Sequence, residues 1–155
     1  MRKLFPFLML FGLLLVTACD SGSNDKASDS EKFVGGWQLG GLSDGSGDRT
    51  AAFAQGYEAI TISFTQAGAV TLSVNAADIN PVGDSSYSGT WSVVESSKTL
   101  NVILSVGENP TPLSFTYNFV NDNTATLTAS SSTALLLGVL FQTSFSEPVT
   151  ITVVR

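Results

Sequence analysis

Apolar and polar side chains alternate with a period of two along most of the chain, and this pattern constrains the fold more than any other feature. In residues 60–65, Ile60, Ile62 and Phe64 are separated by threonine and serine. The alternation recurs in residues 70–75, 87–93, 100–106, 113–119, 125–129 and 149–153, and a further strand surrounds Trp37 and Leu39. Such alternation places apolar side chains on one face of a strand. The sequence therefore predicts about eight strands that share one dry face.

The connections between these strands predict how they pair. Residues 66–68, 95–98 and 121–123 are short and rich in turn-forming residues, so their flanking strands should form antiparallel hairpins. A sheet with one dry face must hide that face and protect its two edges, and closure into a barrel does both. A β-sandwich of two sheets also hides the dry face. The predicted class is all-β, an eight-stranded antiparallel up-and-down barrel, with the β-sandwich as the alternative.

Two segments depart from the strand pattern. Residues 48–58 contain Thr50 followed by alanines, which predicts a short helix capped by the threonine. Residues 132–145 include the apolar run 135–141, which is too short to span a bilayer. This run is interpreted either as a flap at the barrel mouth that contacts lipid or a partner, or as a buried element that closes one end of the core.

The N-terminal region has the layout of an exported signal peptide. Arg2 and Lys3 precede the apolar residues 4–16, and small residues lead to Cys19, the one cysteine of the chain. The residues Val16-Thr17-Ala18-Cys19 resemble a bacterial lipobox. That resemblance implies cleavage before Cys19 and attachment of fatty acyl chains to it. We therefore expect a lipid anchor in the cell envelope, with the outer membrane favoured and the inner membrane possible because Asp20 follows the cysteine.

These features divide the chain into three parts. Residues 1–18 are the predicted lipoprotein signal peptide. Residues 19–32 are polar and serine-rich, which predicts a lipidated flexible tether that cannot bury a core of its own. The folded domain is predicted to span residues 33–155.

Several short motifs in the predicted domain are similar to those of a known family. Gly35-Gly36-Trp37 has the G-x-W form of a lipocalin first strand. Gly89-Thr90-Trp91 resembles the G-T-W motif in the middle strands of bacterial lipocalin-like domains, and residues 60–74 are similar to the second hairpin of those domains. The domain thus resembles the lipocalin-like domains of bacterial envelope lipoproteins. The resemblance implies a barrel that holds an apolar small molecule. It also implies that an arginine near the last strand covers the first-strand tryptophan, a role that falls to Arg155 above Trp37.

Inward-facing side chains are the candidates for lining a ligand site. Those selected are Trp37, Phe64, Trp91, Phe115, Tyr117 and Leu137. These side chains either surround a cavity or fill the barrel completely. Other small barrels are filled by their own side chains. A hollow barrel, with a cavity of roughly 300 Å3 or more, would fit a binding module for a small apolar ligand. A filled barrel would fit a structural or interaction protein whose loops meet an envelope partner.

The remaining composition counts against other function classes. The chain has no histidine, which removes the commonest general base and transition-metal ligand, and we expect no enzyme, cofactor or metal site. Residues 44–48 partly resemble a calcium loop but lack its glutamate, so a solvated loop is the alternative. The formal net charge is −6, which argues against nucleic acid as a partner. The expected partners are a membrane, through Cys19, and an apolar ligand or an envelope protein.

Overall fold

The computed structural model describes residues 27–77 and 83–155. The predicted signal peptide and Cys19 lie outside the described residues. The described helices are α1 Asp29–Phe33, α2 Thr50–Ala54 and α3 Ser131–Leu140. The described strands are β1 Gly35–Asp44, β2 Gly47–Asp48, β3 Tyr57–Phe64, β4 Ala69–Ala76, β5 Ser85–Val94, β6 Thr99–Val106, β7 Asn109–Asn121, β8 Thr124–Ala129 and β9 Thr150–Val154.

The strands close into an antiparallel up-and-down barrel. β1 pairs with β3, each later strand pairs with the next along the chain, and β9 pairs back onto β1. The two-residue β2 only extends the end of β1. The predicted eight-stranded barrel is confirmed, and the β-sandwich alternative is wrong. One hydrophobic core lies inside the barrel. Because the described residues close the barrel and contain this core, the fragment 27–155 holds what an independent domain needs to fold.

Strand β7 begins earlier than the sequence pattern predicts. The alternation predicts a strand from residue 113, but the turn occupies residues 107–108 and β7 already pairs with β6 at Asn109. Pro110 and Pro112 lie on the strand at alternate positions, in register with Ser114. The Ser114 amide points away from β6 and donates to Thr133 Oγ1 at 2.7 Å. An N–H group at either proline would also have pointed away from β6. The prolines therefore remove no hydrogen bond from the β6–β7 pairing.

One of the three described helices was predicted from the sequence, and its cap differs from the expected one. α2 confirms the helix expected in residues 48–58, but Thr50 does not cap it. Its hydroxyl instead bonds the backbone of Leu42, accepting from the amide at 2.9 Å. α1 covers the last part of the segment predicted as a tether, and Ser28 and Glu31 form a capping box there. No helix within the described residues is both long and apolar enough to cross a bilayer.

The two ends of the barrel are built differently. The closed end carries α1, Arg155 and the hairpin turns that follow β3, β5 and β7. The mouth carries α2, α3, the turn that follows β6, and Ala77, Gly83 and Asp84, which are the described residues between β4 and β5.

Candidate functional site

A cluster of aromatic rings fills the closed end of the barrel. Phe33, the last residue of α1, is fully buried at its centre. Its ring centroid lies 4.8 Å from that of Phe119 and 5.1 Å from that of Tyr117. It also contacts the rings of Trp37, Phe64 and Trp91. Such tilted and edge-to-face pairs are favourable packing geometries. The closed end is therefore solid.

A network of charged and polar groups holds α1 over this cluster. The largely buried Asp29 carboxylate accepts hydrogen bonds from Lys98, from the Tyr117 hydroxyl at 2.7 Å and from Lys32 at 3.4 Å. Burial by itself raises the pKa of Asp29, but the bonds from Lys98, Tyr117 and Lys32 outweigh it, so the pKa lies below its ordinary value. Burial and the neighbouring Asp29 carboxylate raise the pKa of Tyr117. Asp29 thus stays ionised at neutral pH and fastens α1 to the β5–β6 turn and to β7.

The first-strand tryptophan is covered from outside. Arg155 stacks on the Trp37 ring, with its guanidinium carbon 4.2 Å from the ring centroid, and also donates to the Lys32 carbonyl. The Trp37 indole donates to the Phe33 carbonyl at 2.8 Å. The contact expected between Arg155 and Trp37 is confirmed.

The mouth half of the barrel contains a cavity of about 80 Å3. Every side chain on its wall is leucine, isoleucine, valine or phenylalanine. The strands contribute Leu39, Leu42, Ile60, Ile62, Leu72, Leu100, Val102, Leu104, Leu113, Phe115, Leu127, Ile151 and Val153. Phe53, Leu137, Phe141 and Phe145 come from the mouth segments. A cavity with such a wall offers no hydrogen-bond partner to water or to a polar ligand.

The mouth segments form a roof over this cavity. Leu137 of α3 is 5 % exposed and points inward. Phe53 of α2 lies 5.1 Å from Phe141 between ring centroids, so the two segments meet above the strands. The Tyr57 hydroxyl donates to the Phe141 carbonyl at 2.9 Å. The roof therefore depends on contacts between α2, β3 and the segment that follows α3.

A buried carboxylate ties the far end of this segment to β1. Asp44 Oδ2 accepts from Arg49 at 2.9 Å and from the Ser146 amide at 3.2 Å, and Oδ1 accepts from Ser46. The Gly45 amide donates to the Ser146 carbonyl at 2.7 Å. The hydrogen bonds from Ser46, followed by those from Ser146 and the charge of Arg49, lower the pKa of Asp44. Asp44 is thus a buried internal anchor, where the sequence suggested a solvated or calcium-binding loop.

The residues selected from the sequence separate into two groups. Phe115 and Leu137 line the cavity. Trp37, Phe64, Trp91 and Tyr117 lie instead at the closed end, outside the cavity, because Phe33 fills the space between their rings. The structure therefore does not bring the six together around one space.

Sequence reasoning missed the phenylalanines of the roof. Phe53, Phe141 and Phe145 lie in segments without strand periodicity, so no inward face could be assigned to them. Their common signal is that each is a large aromatic residue in a segment that interrupts the strands. Such segments cover the ends of a closed barrel, and aromatic side chains there have an apolar interior to fill.

The chain is similar to a known protein family. A family model described as a lipocalin-like domain matches residues 33–127, which is more than half of the chain. The match runs from Phe33 into β8, so it includes the closed-end cluster and most of the cavity wall. It stops before α3 and β9. No curated protein matches the chain.

Proposed function

The chain belongs to the lipocalin-like domain family, and from this premise we propose that it is a bacterial cell-envelope protein that binds a small apolar molecule beneath α3. The apolar cavity carries this proposal. A bound molecule would find hydrocarbon contacts on every side and no partner for a charge or a hydroxyl, so its buried part must itself be apolar. Among the described residues, the wall contains no acid, base or nucleophile. The proposed role is therefore binding without catalysis.

The volume of the cavity limits which apolar molecules can fit inside it. At about 80 Å3 it falls short of the roughly 300 Å3 expected of a hollow binding barrel. The ligand is therefore a small ring or the end of a slender hydrocarbon chain, or else the roof shifts to admit something larger. Such a shift would have to break the hydrogen bonds that join the roof segment after α3 to Tyr57, Asp44 and Gly45.

Native mass spectrometry of fragment 27–155 tests the ligand proposal, after incubation with a lipid extract of bacterial envelopes. We expect a discrete added mass. Val102→Phe places a ring in the cavity and should remove that mass, whereas Val120→Phe, at a site 60 % exposed on β7, should keep it. Circular dichroism shows whether both variants fold. A clean apo mass, or an added mass that Val102→Phe leaves unchanged, would reject binding in the cavity.

We propose further that acyl chains on Cys19 anchor the protein in the envelope, as the lipobox resemblance implies. Several acyl chains together give stable membrane attachment, which one chain does not. The test is metabolic labelling of the full chain with a fatty-acid probe in a bacterial host. Label and membrane association should both be present in the natural chain and absent from Cys19→Ala. Labelling of the variant would place the modification elsewhere.

A second candidate function is that of an interaction protein whose loops meet an envelope partner. Two observations favour it: the aromatic cluster fills the closed end of the barrel, and apolar side chains on the outside of α3 face solvent. The mass measurement above distinguishes the two functions, because an interaction protein needs no molecule in the cavity.

A further inference from the structure

Helix α3 is apolar on its outer face as well as on its inner one. Leu135 and Val139 lie one helical turn apart and are 73 % and 76 % exposed, whereas Leu137 on the opposite side lines the cavity. They are more exposed than any other large hydrophobic side chain in the described part of the chain. Contiguous exposed apolar surface on a small domain commonly marks an interaction site.

A shallow groove runs beside these two side chains. Ala134, Gly138, Gln142, Thr143, Ser144 and Phe145 complete its walls. No charged residue occurs between Ser130 and Ser146. The outer face of α3, defined as Leu135, Val139 and this groove, is thus an uncharged surface about as long as two or three helical turns.

Exposed acidic side chains lie at the same end of the barrel as this face. Those that are exposed and belong to the mouth are Asp48, Glu58, Asp84, Glu108 and Glu147. Among the described residues, Arg49 is the one cation at this end, and it is paired with Asp44. Lys32, Lys98 and Arg155 all lie at the closed end. The mouth therefore combines an uncharged apolar face with an anionic rim, which consists of these five exposed acids.

This charge distribution selects among possible occupants. A second copy docked face to face would bring two anionic rims together, and an anionic lipid surface would meet the same repulsion. A cationic, amphipathic helix is complementary in both respects, because its apolar side chains fit the groove while its lysines or arginines meet the rim. We propose that the outer face of α3 binds a basic amphipathic segment of a partner protein. The proposal is independent of a ligand in the cavity, since that cavity lies on the other side of α3.

Fluorescence anisotropy with fragment 27–155 tests this proposal. The probe is a labelled synthetic helix of about 18 residues, or five turns, with leucine on one face and lysine on the other. We expect saturable binding that weakens as salt screens the rim. A peptide with glutamate in place of lysine should not bind. Leu135→Ser/Val139→Ser should weaken binding by about tenfold, because both apolar anchors are lost.

Two matched controls separate a specific site from general charge attraction. Glu108→Lys at the mouth and Asp122→Lys at the closed end change the net charge equally, and both lie in exposed hairpin turns. Only Glu108→Lys should weaken binding. Val120→Ser removes an exposed valine away from α3 and should leave binding unchanged. All these sites are exposed, so thermal unfolding should show that the variants remain folded.

Three results would overturn the proposal. The first is absence of binding, or binding that survives Leu135→Ser/Val139→Ser. The second is an equal loss with Asp122→Lys, which would mean attraction by net charge alone. The third is occupation of the face by another kind of partner. It would be seen as self-association of the fragment in ultracentrifugation or as binding of the fragment to phosphatidylcholine vesicles. In either case Leu135→Ser/Val139→Ser would abolish the interaction.

Discussion

The guanidinium of Arg155 lies over the indole of Trp37, and its carbon is 4.2 Å from the ring centroid. The two residues join the last position of the chain to the start of β1. Beneath them the Trp37 indole bonds the carbonyl of Phe33, and beside them Arg155 bonds that of Lys32. The contact therefore locks both ends of the domain onto α1 and completes the closed end.

Removal of this contact should loosen the closed end measurably. Arg155→Ala loses a cation–π contact and a hydrogen bond, and we expect a decrease of about 1 kcal/mol in the free energy of unfolding. Arg155→Lys keeps the charge but not the planar stacking, so its stability should be intermediate. Denaturant unfolding followed by tryptophan emission measures both. Equal stability of Arg155→Ala and the natural protein would show that the contact contributes nothing.

Acid should destabilise the fold partly through Asp29. Its pKa is lower in the folded protein than the ordinary value of 3.8, so the ionised form stabilises the fold above that value. This stabilisation is lost as the pH falls through the folded-state pKa. Asp29→Asn should cost about 1.5 kcal/mol near neutral pH, because charged hydrogen bonds from Lys98 and Lys32 are lost.

The pH dependence is the sharper readout for Asp29. Between about pH 5 and pH 3 the stability of the natural protein should fall more steeply than that of Asp29→Asn. Asp122→Asn, an exposed acid in the β7–β8 turn, serves as the control and should retain the natural slope. Parallel curves for the natural protein and Asp29→Asn would mean that Asp29 is not held ionised by its partners.

Local alternation predicted the strands, and strand number with turn length predicted closure, because both depend on neighbouring residues. The Arg155–Trp37 contact followed from family resemblance. The solid closed end could not be predicted in this way. Phe33 enters the barrel from a polar segment, and its five ring contacts join it to residues as distant as Phe119. The position of the cavity could not be predicted either, because it depends on which end of the barrel Phe33 of α1 fills.

Gly89 should be intolerant of any side chain. A Cβ at this position of β5 would lie 1.8 Å from the Ile103 carbonyl oxygen of β6, so the two strands could not keep their pairing. Gly89→Ala should cost about 3 kcal/mol, the upper range for overpacking. Gly36→Ala is the matched control, since a Cβ there meets nothing within 4 Å, and it should be close to neutral. Thermal unfolding compares the two, and equal melting temperatures would contradict the close approach of β5 and β6.

Loss of the Asp44 carboxylate should release one end of the roof. Asp44→Ala removes the acceptor for the Ser146 amide and for Arg49, so residues 141–149 should exchange amide hydrogen faster. Asp84→Ala removes another acid at the mouth. Asp84 accepts a hydrogen bond from the Ala76 amide on the other side of the barrel, so this variant should leave residues 141–149 protected from exchange. Hydrogen exchange read by mass spectrometry distinguishes them. Unchanged exchange in Asp44→Ala would show that the contacts of Phe141 and the Gly45–Ser146 hydrogen bond hold the roof without Asp44.

Shortening Leu137 should enlarge the cavity rather than merely weaken the fold. Leu137→Ala removes buried methyl groups from the roof, and we expect a loss of about 3 kcal/mol together with a larger apolar space. A dry apolar cavity takes up benzene or xenon. Benzene should therefore raise the melting temperature of Leu137→Ala more than that of the natural protein, whereas Val120→Ala, at an exposed site, should behave like the natural protein. An equal benzene response in all three would mean that α3 collapses into the space left by Leu137, and that the cavity cannot be enlarged from its roof.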